Sequence, residues 1–192
     1  MGLDPIFTNT TADLELLAVQ TALQAIAEAE PGLLERLNGL PDAEPHAMSQ
    51  LADLLAFVHR ELGDARARPI VARHGRLLAM ALCAVPELAA LRTRVRALHG
   101  SVRLELAVHA AASLLPRLGL EANVTESRGA PLLSIERCGL CAQVSNAPEP
   151  MCSNVEALLS ALLFELCEEP TIAAEVECLA EGGAACRFRI RG

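Results

Sequence analysis

Six of the seven cysteines fall between positions 138 and 186 of this 192-residue chain. Thiolates at that density bind thiophilic metals or exchange electrons as disulfides, and a carboxylate among them can complete a metal's coordination. Cys178 and Cys186 bracket Glu181-Gly182-Gly183, so a hairpin turning there offers two sulfurs to one ion. Cys152 precedes an apolar helical pattern, and the N–H groups and dipole at a helix entrance stabilise a thiolate. Glu175 stands three residues before Cys178, and Glu177 directly before it competes as the carboxylate. In a regular strand Glu175 and Cys178 face opposite sides, so the strand must twist or end for both to bind one ion. Cys138 and Cys141 form a separate C-x-x-C, a spacing that suits a metal knuckle, an iron–sulfur ligand pair or a redox dithiol. No second C-x-x-C exists, so a four-cysteine zinc ribbon is not written here. Cys83 and Cys167 read as small buried hydrophobes.

The elements that must position these residues change character along the chain. After Gly119, residues 122–126 and 131–137 read as extended, with Ser127-Arg128-Gly129 as a hairpin turn. A Pro-containing loop over 145–151 leads to a helix from Ser153 to Cys167, capped by Ser153 or Asn154. Val155, Leu158, Leu159, Leu162 and Leu166 form its apolar side. Thr171 to Cys178 and Ala185 to Ile190 read as strands, with Cys186, Phe188 and Ile190 on one face. Before Gly119 the pattern is helical. Helices are expected from Thr11 or Asp13 to about Glu30, over Ser49–Leu62, from Pro69 to about Val85, from Pro86 to about Leu98, and from a cap at Ser101 to about Leu115. Residues 38–47 read as a connection. The expected class is α+β: N-terminal helices, then an antiparallel sheet with a packed helix. The division is into a helical region 1–100, for dimerisation or partner contact, and a metal-binding α+β domain, 101–192.

Composition narrows the function. Hydrophobic residues make up 52% of the chain, with four Phe and no Tyr or Trp, so core and pocket must be aliphatic. All sixteen basic residues are Arg; a net charge of −8 argues against nucleic acid as the main partner. Eight Arg and one acid, Glu87, lie between Arg66 and Arg103. They read as a solvated face paired with acids elsewhere, or more sharply as a docking patch for an acidic partner. The polar residues 1–13 carry no secretory pattern and no apolar run has the ~20 residues of a membrane span, so a cytoplasmic protein is expected. Cysteines in a reducing compartment then serve metals or redox rather than structural disulfides. His46, His59, His74, His99 and His109 are scattered. His59 and His74 read as lying on polar sides, and His109, among Ala and Val, as a core or interface residue. No nucleophile elbow, phosphate loop or H-E-x-x-H is present, so catalysis is not expected.

Glu175 to Ile190, E-V-E-C-L-A-E-G-G-A-A-C-R-F-R-I, resembles the end of the 4-vinyl reductase domain, which closes with E-x-x-C, a Gly turn and C-x-F. An upstream Cys before an apolar helix is part of that pattern, and Cys152 matches it. The resemblance covers roughly residues 101–190. A weaker resemblance, to a small hydrolase family acting on a thiazoline carboxylate, rests on the C-x-F end alone; the E-x-x-C pair favours the former. The 4-vinyl reductase resemblance implies an α+β fold, a hydrophobic pocket between helices and sheet, frequent dimerisation, and a structural zinc held by Cys152, Glu175, Cys178 and Cys186. It further implies a sensor or adaptor for a small lipophilic molecule with a regulatory protein partner. Pocket candidates are Leu106, Leu114, Leu115, Leu133, Leu159 and Leu163. Two alternatives stand beside it: an iron–sulfur or thiol redox sensor using Cys138, Cys141 and the later cysteines, and a tetrapyrrole carrier or assembly factor of the bacteriochlorophyll pathway.

Overall fold

The computed structural model describes residues 11–37, 47–127, 129–139, 141 and 151–192. The helices are α1 (Thr11–Ala29), α2 (Pro31–Leu37), α3 (Ala47–Leu62), α4 (Asp64–Cys83), α5 (Pro86–Arg96), α6 (Ser101–Leu114) and α7 (Ser153–Cys167). The strands are β1 (Glu121–Ser127), β2 (Ala130–Arg137), β3 (Ile172–Glu177) and β4 (Cys186–Arg191), in the antiparallel order β1-β2-β4-β3. This is the expected α+β class, and its sheet has one face covered by helices.

Helix α7 is central and packs against α4, α5, α6 and β3. Its buried residues, Val155, Leu158, Leu159, Leu162, Leu163 and Leu166 among them, cover more than one face, as a helix enclosed by neighbours requires. Each such side chain contributes about 2 kcal/mol of burial. The closest partnership is with α4. A Cβ on Gly75 of α4 would stand 2.1 Å from the Asn154 carbonyl oxygen and 2.8 Å from Leu158 N, so only glycine lets the two backbones approach this closely. Arg96 donates to the Glu165 carbonyl (2.7 Å) and Arg103 to the Cys167 carbonyl (3.2 Å), satisfying free acceptors at the C-terminal end of α7.

Several boundaries differ from expectation. Pro69 lies inside α4, five residues beyond its start, rather than opening it; the helix begins at Asp64 after Gly63 (φ 72°). Gly100 (φ 59°), not Ser101, is the N-cap of α6, and Cys152 rather than Ser153 or Asn154 is the N-cap of α7. Pro31 opens the short helix α2 instead of breaking structure. The connection at 38–46 and most of the 145–151 loop lie outside the described residues, as do Arg128 and His46. The arginine-rich segment reads as paired: Arg66 meets Glu30, Arg73 meets Glu28, Arg92 meets Glu165, Arg96 meets Glu168 and Arg103 meets Glu169. Among the described residues no single helix is long and apolar enough to cross a membrane.

Candidate metal centre

Four short segments bring the cysteines together. Strand β2 ends at Arg137 and delivers Cys138; Cys141 N donates to the Cys138 carbonyl (3.0 Å), closing a tight turn that returns the second thiol to the first. Cys152 enters from the N-cap of α7. Cys186 begins β4 on the buried face it shares with Phe188 and Ile190.

Cys178 arrives by a β-bulge. On β3, Glu175 pairs with Phe188 but Glu177 pairs with Arg187, so the register shifts by one between them. One residue further, Cys178 comes level with Cys186, and the face shared by Glu175 and Phe188 passes to Cys178. The bulge thus solves the facing problem posed by a three-residue spacing. A 3-10 turn, Leu179–Glu181, and Gly182 (φ 92°) then reverse the chain. Gly183 N donates to the Cys178 carbonyl (2.9 Å), and a Cβ at Gly183 would meet that carbonyl oxygen at 2.8 Å. Glu177 is not drawn into the cluster: it pairs with Arg187 (2.6 Å) and accepts from Ala184 N–H (2.8 Å), stapling the hairpin.

The donor atoms form two overlapping quartets. Those of Cys152, Glu175, Cys178 and Cys186 all lie within 4.8 Å of one another, as do those of Cys138, Cys141, Cys152 and Cys186. The sulfurs touch: Cys141–Cys152 at 3.1 Å, Cys138–Cys152 at 3.4 Å, and Cys152–Cys186, Cys141–Cys186 and Cys141–Cys178 at 3.5 Å. C-x-x-C, read from the sequence as a separate pair, therefore belongs to the same cluster. All five cysteines are buried. Leu179 N–H points at Cys186 Sγ (3.5 Å). One Glu175 oxygen, Oε2, accepts from Cys152 N–H (3.1 Å), while Oε1 is buried with no hydrogen-bond partner.

These features fit a cation. A tetrahedral ion with ~2.3 Å metal–sulfur bonds sets its ligand sulfurs about 3.8 Å apart, close to the separations here. Two bare thiolates 3.5 Å apart repel by about 5 kcal/mol at an effective dielectric of 20, so several cannot ionise without a positive charge among them. The thiols split accordingly: hydrogen bonding from Cys152 holds Cys178 down to about 4, and contacts with Cys141 and Cys152 hold Cys138 low. Cys152, facing Cys138 and Cys141, is pushed up, and so is Cys141 by its contact with Cys138. Burial, aided by the Cys178 charge, pushes Glu175 up to about 8. A divalent ion removes that penalty and gives Oε1 its missing partner. The other two cysteines stand apart: burial raises Cys83 to about 11 and also raises Cys167.

Two histidines exchange the places expected of them. His109 is exposed, on a stripe of α6 with Val102, Glu105 and Ser113, whereas His74 is 1% exposed. Helix α4 buries a wide arc between α1, α3 and α7, and His74 falls on its Ile70–Leu78 stripe despite the flanking arginines Arg73 and Arg76. His74 lines an enclosed cavity of about 30 Å³ with Ala18, Leu51, Gly139, Asn154 and Leu158. Neither ring nitrogen of His74 nor Asn154 Oδ1 has a hydrogen-bond partner. Burial holds His74 down to about 4; the Ala18 backbone opposes part of that shift without completing a hydrogen bond. Gly139 and Asn154 also flank Cys138 and Cys152, so this cavity adjoins the cysteine cluster. Nothing in the sequence pattern marked it. Of the pocket candidates, Leu114, Leu115, Leu133, Leu159 and Leu163 are fully buried and Leu106 partly so. The enclosed cavity and the two open grooves, of about 600 and 450 Å³, are lined by other residues.

Fold and site together define an α+β domain with a buried cysteine-rich cluster that could hold a metal ion. Residues 131–192 match the 4-vinyl reductase domain, the family that the terminal motif resembles. No curated protein sequence matches the chain. Among solved structures it is similar to the phenol-responsive sensory domain of the transcription activator PoxR, crystallised with phenol. That likeness has a TM-score of 0.55 and 18% sequence identity, and covers 78% of this chain and 75% of that one. At this identity the likeness is one of fold.

Proposed function

We propose that this protein is a metal-stapled sensor or adaptor module. A structural zinc bound by Cys152, Glu175, Cys178 and Cys186 ties the entrance of α7 to the β3–β4 hairpin. The observation that carries this reading is the orphaned, buried Glu175 Oε1 beside three buried thiols from separate segments. Zinc suits three sulfurs and one oxygen in a tetrahedron, and four protein ligands with no open position make the ion structural rather than catalytic. An iron–sulfur core is less well supported, because sulfurs in mutual contact leave no room for several atoms between them.

The sensing part of the proposal draws on the fold of a phenol-responsive domain. A cavity of about 30 Å³ has room for roughly two waters, far below the ~300 Å³ of an ordinary ligand pocket, so a small apolar guest must open the aliphatic core to enter. Residues 101–192 carry the site, and the helices of 1–100 supply dimer or partner contacts. Leu16 (55% exposed) and Leu23 (38% exposed), seven residues apart on α1, support self-association through that region. The protein is expected to act in the cytoplasm.

Metal content and thermal unfolding of Cys178→Ser and Cys186→Ser test the staple. Both variants are expected to lose zinc and melt lower, because binding free energy at such a site is folding free energy. Retained zinc and unchanged melting in both would reject the assignment. Melting shifts with phenol and with aliphatic small molecules test the sensing part; no shift with any of them would reject it.

A further inference from the structure

The mononuclear site leaves Cys138 and Cys141 without a task, although both are buried in contact with its ligands. We propose that the cluster binds two divalent ions in a thiolate-bridged binuclear centre. The inference rests on the metal-binding reading above and extends it with a second ion held by Cys138 and Cys141. Two tetrahedra that share an edge need six ligands, two of them bridging. The structure supplies six donors in two quartets, and the two residues common to both are Cys152 and Cys186. Their sulfurs are 3.5 Å apart, close to the separation required of a shared edge. Cys152 also touches Cys138 and Cys141, as a bridging sulfur surrounded by terminal ligands does.

Each ion then has its own terminal pair. Cys138 and Cys141 complete an all-sulfur set, while Glu175 and Cys178 complete a set with three sulfurs and one oxygen. Charge favours double occupancy: two divalent ions against five thiolates and one carboxylate leave a net of minus two, the same as one zinc with four cysteines. The thiol protons leave to solvent as the ions bind. Cys141 and Cys178, now 3.5 Å apart, become terminal ligands on different ions and must separate on loading. Cys178 lies directly after the bulge, where the strand has ended, and Cys141 lies at the end of a single turn. The spacing C-x-x-C is thus the second ion's terminal ligand pair rather than a separate redox motif.

The test is a cadmium titration of the full, reduced, metal-free chain, followed at the thiolate-to-cadmium charge-transfer band. The absence of Trp and Tyr leaves that ultraviolet window clear. Wild type is expected to saturate at two equivalents, and Cys138→Ser/Cys141→Ser at one. One equivalent in both proteins overturns the second ion and leaves the Cys152–Glu175–Cys178–Cys186 site standing. One in wild type and none in the variant assigns the single ion to the all-sulfur quartet and overturns both readings. No uptake by wild type ends the metal reading altogether, and two equivalents in the variant place the second ion elsewhere. Should the variant fail to fold, cadmium-113 NMR of wild type decides: two resonances, the all-sulfur one further downfield, are expected, and a single resonance overturns the proposal.

Discussion

His74 is the residue whose environment departs furthest from what its neighbours in the chain suggest. Its ring lies in an aliphatic cavity that holds its pKa at about 4, against 6.5 for a free side chain. The unfolded chain therefore takes up a proton below about pH 6.5 that the folded chain refuses until about pH 4. This group's contribution is complete above pH 6.5 and declines as pH falls through that window, by about 2 kcal/mol between pH 7 and pH 5. Urea unfolding of wild type and His74→Leu at the two pH values measures it. The variant should lack that part of the slope, while acid effects on the cysteine cluster remain common to both proteins; identical slopes would place the titration elsewhere. Glu175 shows the same physics at the cluster. Its identity as a carboxylate near a cysteine was legible in E-x-x-C, but the preference over Glu177 was not. That choice depends on a bulge that turns Glu175 inward and leaves Glu177 to pair with Arg187.

At the scale of elements, the α4–α7 contact sets where Cys152 stands, because Cys152 is the N-cap of α7 and Gly75 sets the approach of α4 to its first turn. Gly75→Ala drives a methyl group into backbone, not into a flexible side chain. The expected cost is at least the ~1–3 kcal/mol of an overpacked core, or roughly 3–10 °C in melting temperature for a chain of this size, together with weaker metal retention. Gly32→Ala is the control. Its Cβ meets nothing within 4 Å, and alanine inside α2 should be neutral or stabilise by up to about 1 kcal/mol. Comparable melting of the two variants would show that the close approach is not limiting. Helices α1, α3 and α7 could be read from their apolar periodicity because each keeps a regular stripe. The start of α4 was misplaced because Pro69 resembles a first-turn proline, yet the helix begins five residues earlier and tolerates it.

Across the whole molecule, one hydrophobic core runs from Leu14 on α1 to Ile190 on β4, so helices outside the family match at 131–192 contribute to the same interior as those within it. What α1 leaves outside is apolar too. Under the self-association proposed here, Leu16→Glu/Leu23→Glu should convert a dimer to a monomer in sedimentation while leaving metal content unchanged. A wild-type monomer, or a variant that remains dimeric, would move the interface elsewhere. The amino-acid sequence by itself determined the α+β class, the order of most elements, the terminal E-x-x-C and C-x-F motif and the density of cysteines. All of these are local, carried by 2.0- and 3.6-residue periodicity or by residue type. Only the tertiary structure decided that C-x-x-C joins the other three cysteines, that Glu175 faces them, and that His74 is inside and His109 outside. Those outcomes depend on strand register, a one-residue bulge and the number of neighbours around a helix. Such relations form between segments far apart in the chain, and no local pattern encodes them.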